Sequence, residues 1–329
     1  MRDQHITADG PIKWGYAFNQ WKQGWQGFAR VTDHVRALKI TSACGFRNVE
    51  LNAGTGPWDP TGRPESIALN FGSARRFAAS HGDWGIDGFP GVFLDPAQFS
   101  FEEGHFGLST TMPADHAMIL QQAAVFARFL AEVGGQYMVL QALPPWSKHG
   151  ALAPESLAAA ATLINRLAEA NQALGLKTFL HIDALSALRT TDELDRLLSL
   201  CPGPHVALAI DTAELTIAGH DVVALYRGYH ARVGHFHFKD ALATDTLGEY
   251  KLPHADRAMI AAGGKREIAR WFGELGTGLV DFKGLVKAMK ELGYEGWVIV
   301  ESDKGPAPVA TSVMLNSWYL QFELLPLLR

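Results

Sequence analysis

The chain of 329 residues has few cysteines, no long apolar run and no excess of basic charge. Its two cysteines, Cys44 and Cys201, are too few for a disulfide framework or a thiolate metal site. No segment approaches the about 20 continuous apolar residues that a membrane-spanning helix needs. The 34 acidic residues outnumber the 29 basic ones, and the net charge of −5 argues against nucleic-acid binding. The composition therefore predicts a soluble, cytoplasmic protein.

Short apolar runs of β-type alternate with longer segments of helical period, the pattern of βα units around a parallel sheet. Eight runs are predicted as strands: 12–18, 48–51, 91–95, 137–143, 177–183, 206–211, 233–240 and 297–303. Segments 115–133, 154–174 and 281–292 are predicted as helices, and 313–328 is an apolar segment that follows the last predicted strand. Because no GxGxxG motif follows the first run, an open dinucleotide-binding sheet is disfavoured. The sequence predicts an α/β fold, a (β/α)8 TIM barrel, in one domain over 1–329.

Two long segments follow predicted strands three and seven. Segment 93–112 carries Phe99, Phe101, His105 and Phe106, and segment 241–270 mixes Gly, Lys, Asp and His. We expect both to be loop insertions that shape the pocket, since TIM-barrel active sites lie at the carboxyl ends of the strands.

Polar side chains gather at the carboxyl ends of predicted strands five to eight. They are His181, Asp183, Asp211, His235, His237, Lys239, Asp240, Glu301 and Asp303. Side chains alternate along a strand, so residues two apart face the same way and the four strands converge on the barrel mouth. Buried carboxylates are costly unless a cation compensates them, and mixed carboxylate and imidazole ligands favour Mn²⁺, Co²⁺ or Mg²⁺ and allow Zn²⁺. We predict one divalent ion, with Mn²⁺ first; the alternative is a set of rim salt bridges with hydrogen-bonded histidines.

Four stretches of the chain resemble the xylose isomerase-like TIM-barrel superfamily of sugar isomerases and epimerases, especially its inosose dehydratase-like branch. They are GFRNVEL at 45–51, LAIDTAELTIAG at 208–219, GHFHFKD at 234–240 and FGELGTGLVDFKGLVKAMKELGYEGWVIVESD at 272–303. The resemblance covers essentially the whole chain and implies a single divalent ion at the ends of strands five to eight. It implies Asp211, His237 and Glu301 as metal ligands.

The chain departs from the family pattern at two positions. Strand five commonly ends in Glu, whereas GLKTFLH places His181 there and Asp183 follows two residues later. Either residue can be the fourth ligand; we favour His181, which leaves Asp183 to act on the substrate. Where relatives often have Asp-Thr-Gly-His, this chain has DTAE, so Glu214 replaces a histidine that contacts substrate. Asp183, Glu214 and Lys239 are the predicted catalytic residues.

Predicted substrate contacts come from several other strand ends. They are Trp14, Asn19, Glu50, Gln141 and Asp303, with Tyr16, Trp21 and Trp25 as further aromatic candidates. An aromatic face can stack on a sugar ring. Rim packing is the alternative for the aromatic residues, a structural role is the alternative for Glu50, and loop structure is the alternative for Gln141.

The predicted site suits proton abstraction next to a carbonyl through an enediolate-type intermediate. Since no glycine-rich phosphate cradle follows strand seven or eight, we expect an unphosphorylated sugar or keto-polyol as substrate. The leading hypothesis is a metal-dependent isomerase or epimerase. The alternative is a lyase, either an inosose-type dehydratase or a β-eliminating enzyme that cleaves 3-keto-glycosides or C-glycosides.

Two other classes share parts of this pattern. A sugar-binding barrel without catalysis has no need for a bound ion, and an abasic-site endonuclease needs more ligands and a basic groove. We expect a small carbohydrate as the partner and neither nucleic acid nor membrane. The sequence also allows a homo-oligomer or an accessory subunit.

Overall fold

The fold is given by a computed structural model, which describes residues 6, 9–18, 21, 31–53, 67–68, 71–98, 108–253, 255, 270–302 and 307–329. Its strands are β1 Ile12–Ala17, β2 Val49–Ala53, β3 Gly91–Leu94, β4 Tyr137–Gln141, β5 Lys177–His181, β6 Val206–Asp211, β7 Val233–Phe238, β8 Asp240–Ala241, β9 Phe272–Gly273 and β10 Gly296–Val300. All except β8 and β9 pair in parallel and close into a barrel in the order β1-β10-β7-β6-β5-β4-β3-β2. The predicted (β/α)8 barrel is confirmed.

Helices follow the strands, as the βα pattern requires. They are α1 Val31–Ala43, α2 Ala74–Ser80, α3 His116–Glu132, α4 Trp146–His149, α5 Pro154–Gln172, α6 Thr191–Leu200, α7 Thr212–Ile217, α8 Val222–Tyr229, α9 Phe282–Glu291 and α10 Val309–Tyr319. Caps fix several of their starts, and the clearest is the capping box of α6, in which Thr190 and Glu193 exchange side-chain and backbone hydrogen bonds. None of the helices that the structure describes combines the length and apolarity needed to cross a bilayer.

Apolar side chains lie in two layers, one between the strands and the helices and one inside the barrel. The inner layer consists of Ala17, Tyr137, Val139, Phe179, Ala209, Trp297 and Ile299. Glycine makes room for it, since a Cβ at Gly91 would overlap the ring of Tyr137. The inner layer fills the barrel interior, so the polar residues at the strand ends lie above a packed apolar layer.

The observed strands end two to three residues before several predicted ends. The run predicted at 177–183 stops at His181, and the run predicted at 297–303 stops at Val300. The run predicted at 233–240 divides, because β7 ends at Phe238 and Asp240–Ala241 forms β8. The polar residues beyond the ends of β5 and β10 continue the apolar runs in sequence, although neither Asp183 nor Glu301 belongs to a strand.

The long segment after β7 begins and ends at one place. β8 pairs antiparallel with β9, with Asp240 opposite Gly273 and Ala241 opposite Phe272. The Asp240 carboxylate accepts hydrogen bonds from the backbone N–H groups of Ala241, Gly276, Gly278 and Val280 at 2.8–3.2 Å. Residues 254 and 256–269 of the predicted insertion lie outside the described part of the chain, as do 99–107 of the insertion after β3. The shapes of both insertions therefore stay predictions.

Candidate metal and catalytic site

The carboxyl ends of β5, β6, β7 and β10 bring together the four side chains that were predicted as metal ligands. His181 and Asp211 are the last residues of their strands, His237 pairs in register with Asp211, and Glu301 follows β10 directly. All four residues are buried, with at most 8% of any of them exposed. The sequence periodicity placed these side chains on one face, and barrel closure brings them within reach of one another.

The donor atoms of three of these residues, His181, Asp211 and His237, lie close together, and Glu301 lies beside them. One atom each from His181, Asp211 and His237 lies within 4.8 Å of the other two. His181 Nε2 is 3.3 Å from Asp211 Oδ2, and Glu301 Oε2 is 2.9 Å from His237 Nδ1. Despite that short distance, His237 Nδ1 has no aligned hydrogen-bond partner among the described residues.

Lys239 lies beside this donor set and is only 2% exposed. Its Nζ is 3.0 Å from Asp211 Oδ2, 3.2 Å from Glu214 Oε1 and 3.4 Å from Glu301 Oε1. Three carboxylates against one ammonium leave a formal charge of −2 in a buried volume. A divalent cation neutralises that charge, so the residues present fit a divalent metal both in donor type and in charge.

Asp211 and Glu214 owe their positions to the turn from β6 into α7. Asp211 is the N-cap of α7, and its Oδ1 accepts a hydrogen bond from Glu214 N at 2.9 Å. This leaves Oδ2 to face His181 and Lys239. Glu214 Oε2 accepts from Ala184 N at 2.8 Å, which holds the carboxylate toward the end of β5. The four residues of DTAE thus have two effects: they cap a helix, and they position the carboxylates of Asp211 and Glu214 in the site.

Asp183 lies next to the donor set rather than within it. Gln141 Nε2 donates to Asp183 Oδ2 at 2.8 Å, while Gln141 Oε1 lies 2.7 Å from His181 Nδ1. Gln141 therefore joins the two candidates for the strand-five role and turns His181 Nε2 toward Asp211. Burial, together with the nearby charge of Asp95, raises the pKa of Asp183 to about 7.

Charges within the site shift the pKa of its other members. Burial opposes ionisation of Asp211, but Lys239 and His181 hold its pKa below the usual value. Burial likewise opposes a charge on His237, yet Glu50 and Glu301 raise its pKa well above the usual range. The carboxylates around His237 thus favour a positive charge there, which a proton or a metal ion supplies.

Glu50 lies beneath the donor set, in the barrel interior, and is 1% exposed. Its Oε1 is 2.8 Å from His237 Nε2, and its Oε2 accepts from the Tyr137 hydroxyl at 2.9 Å. His235 Nε2 lies 3.3 Å from the same Oε2, and burial lowers the pKa of His235 to about 4. The structure therefore brings Glu50 into contact with His237 from the interior of the barrel.

The structure does not bring Trp14 to the barrel mouth. Its ring packs edge-on against Phe238 with centroids 5.6 Å apart, in the layer between strands and helices. Tyr16 is in the same outer layer, and Trp21 packs near Phe18. Asn19, Trp25 and Asp303 lie outside the described residues.

Two residues at the barrel mouth were not singled out by the sequence. Asp95 follows β3 and influences Asp183, as noted above. Arg189, after β5, lies flat on Tyr250 with its Cζ 3.6 Å from the ring centroid, and Tyr250 packs against Trp146 at 5.7 Å. Asp95 ends a predicted strand and could have been noticed. Nothing in the sequence pattern distinguishes Arg189 from a surface arginine.

The fold and the site define a class of protein: TIM barrels that present carboxylate and imidazole groups at the carboxyl ends of neighbouring strands. The family model described as xylose isomerase-like TIM barrel matches residues 38–316, and the chain belongs to that family.

Among curated relatives, an inosose dehydratase of Lacticaseibacillus casei is 33% identical over 147 residues, which is 45% of this chain and 47% of that protein. The chain thus spans about half the length of the curated relatives it matches. Among solved structures, a probable 3-DHS dehydratase, AsbF, from Bacillus anthracis has a TM-score of 0.71 at 13% identity, covering 94% of this chain and 99% of that one. An L-ribulose 3-epimerase has a TM-score of 0.68 at 15% identity and covers 95% and 94%. At these identities the two structures show likeness of fold.

Proposed function

We propose that this protein is a divalent-metal-dependent dehydratase of a cyclic polyol ketone or a related unphosphorylated keto-sugar. The observation that carries the proposal is the buried Lys239 ammonium, held by Asp211, Glu214 and Glu301 next to the His181, Asp211 and His237 donor set. A bound divalent ion would make a proton beside a carbonyl easier to remove. The relatedness to inosose dehydratase suggests the substrate class.

Asp183 is the proposed base. Gln141 Nε2 donates to Oδ2 at 2.8 Å, which fixes the carboxylate and leaves Oδ1 as the oxygen that would receive a proton. Asp183 takes the proton from the carbon beside the carbonyl, and the C–H electron pair becomes a carbon–carbon double bond as the hydroxyl on the next carbon leaves.

Lys239 is the proposed acid. Its ammonium offers three N–H donors, and the three carboxylates around it fix its direction. It gives a proton to the departing hydroxyl, which leaves as water. A carboxylate base paired with an ammonium acid matches the needs of an elimination.

A second candidate is an isomerase or epimerase, favoured by Glu214. This carboxylate comes from a different strand end than Asp183 and could return a proton to carbon instead of expelling hydroxide. The metal site would be the same, and only the fate of the proton would differ.

A substrate panel in D2O tests the proposal. An inosose, a ketose and a 3-keto-glycoside are incubated with protein and Mn²⁺, Co²⁺, Mg²⁺ or Zn²⁺, and products are identified by NMR. We expect water loss from the inosose, abolished by EDTA and restored by one of the metals. An aldose or epimer as product would favour the second candidate, whereas no exchange with any substrate, or full activity in EDTA, would overturn the metal-dependent proposal.

A further inference from the structure

We infer that Glu50 is a positioning residue that orients His237 from inside the barrel, so that Nδ1, on the side of Asp211 and Glu301, would be the nitrogen available to a divalent ion. The inference rests on the metal site of the proposed function. It assigns to Glu50 a role beneath the site in place of the expected substrate contact.

Contacts around Glu50 leave its carboxylate little freedom. One oxygen is 2.8 Å from His237 Nε2, and the other accepts from the Tyr137 hydroxyl at 2.9 Å. Gly91 gives the Tyr137 ring its space, because any Cβ there would overlap it. Three strands, β2, β4 and β7, thereby fix the angle of the His237 ring.

The contact between the Glu50 carboxylate and the His237 ring sets the tautomer of His237. An ionised carboxylate only accepts hydrogen bonds, so Glu50 favours a proton on Nε2 and Glu301 favours one on Nδ1. A neutral imidazole has only one N–H, and if Glu301 and Nδ1 both served a divalent ion, that N–H would be the one on Nε2 toward Glu50. With the proton on Nε2, the Nδ1 lone pair is available for the ion. Metal-ligating histidines are generally held in this way by a carboxylate on the other ring nitrogen.

Glu50, His235 and His237 could alternatively hold a second ion, since their donor atoms lie within 4.8 Å of one another. Two features argue against an ion at that place. The Tyr137 hydroxyl donates to Glu50, and His235 is packed as a flat ring, nearly parallel to Phe179 at 15° and 5.4 Å. We therefore expect one ion per chain.

The test compares Glu50→Gln, Tyr137→Phe and a surface control, Glu291→Gln, whose residue pairs with Arg227 on the outside of the barrel. Mn²⁺ affinity and stoichiometry are measured by calorimetry. We expect Glu50→Gln to weaken Mn²⁺ binding by about 10- to 100-fold, the usual effect of losing such a partner. Tyr137→Phe should weaken it less, and Glu291→Gln should match wild type.

A spectroscopic measurement on wild type decides the point even if Glu50→Gln does not fold. In Zn²⁺-loaded protein with ¹⁵N-labelled histidine, long-range ¹H–¹⁵N correlations should show His237 ligated through Nδ1 and protonated at Nε2. Ligation through Nε2, two ions per chain, or a Glu50→Gln affinity within threefold of wild type would overturn the inference. Wild type that binds no divalent ion would instead overturn the proposed function, and this role with it.

Discussion

Replacing Lys239 by Met separates the two roles that the structure gives the ammonium. Met has a similar length and no charge, so it fills the space while leaving Asp211, Glu214 and Glu301 without their cation. Removing one partner of a buried ion pair costs about 3–5 kcal/mol. In the metal-free protein we expect a loss of that size in the free energy of unfolding.

Metal should reduce that loss. An ion present at 100 times its dissociation constant stabilises a folded protein by about 2.7 kcal/mol. Because the ion would compensate the same carboxylates as Lys239, the gap between Lys239→Met and wild type should narrow when Mn²⁺ is added. Urea unfolding with and without Mn²⁺ measures both differences. Lys283→Met is the control, since Lys283 is at the surface beside Glu323 and its loss should change neither curve.

In Lys239→Met, the rate of dehydration and the rate of proton exchange should respond differently. Losing a general acid typically costs 10²- to 10⁴-fold, so we expect dehydration to fall by about 100-fold or more. Exchange of the substrate proton in D2O depends on Asp183 and should stay within about threefold. The reasoning is refuted if exchange and dehydration fall together, or if Mn²⁺ leaves the stability gap unchanged.

Three further predictions concern neighbouring positions. His181→Ala should lose metal affinity, while Asp183→Asn should keep the metal and lose turnover; metal analysis beside rate measurements checks this, and the reverse pattern exchanges their roles. Glu214→Gln should lower kcat by about 100-fold with unchanged metal content, and a rate within threefold of wild type would remove it from the mechanism. Gly91→Ala should lower the free energy of unfolding by about 1–3 kcal/mol, because the added methyl group overlaps the Tyr137 ring. Urea denaturation measures that change, and unaltered stability would show that the ring can move aside.

Much of the fold was predictable because a barrel repeats one local pattern. Alternating apolar runs, helical segments and caps are short-range features, and eight such runs define the closed order of strands. The polar residues at the strand ends were predictable for the same reason. Strand ends were overestimated where polar residues such as Asp183 and Asp303 extended an apolar run, since sequence does not show where backbone pairing stops.

The orientation of β1 was not predictable. A period of two tells which residues share a face, but not which face is inside. At β1 it is Gly15 that points into the barrel, where a Cβ would approach Ile299 Cδ1 at 2.8 Å, so Trp14 points out. The contact between Glu50 and His237 was equally hidden, because it joins residues 187 positions apart that meet only when the barrel closes.

The pairing of β8 with β9, together with the hydrogen bonds of Asp240, also affects how such a protein can evolve. Leu242 N donates to Trp271 O at 2.8 Å, so the chain leaves the barrel and returns to it at one point. Loop closure depends only weakly on length, so a change in the length of the segment between 242 and 271 would cost little entropy as long as Asp245 and Tyr250 keep their contacts with Arg189. Lys239 would keep its place throughout, anchored by the backbone hydrogen bond from its N–H to Thr212 Oγ1 at 2.9 Å. Under the proposed function, substrate range could therefore diversify while the residues at the strand ends stay unchanged.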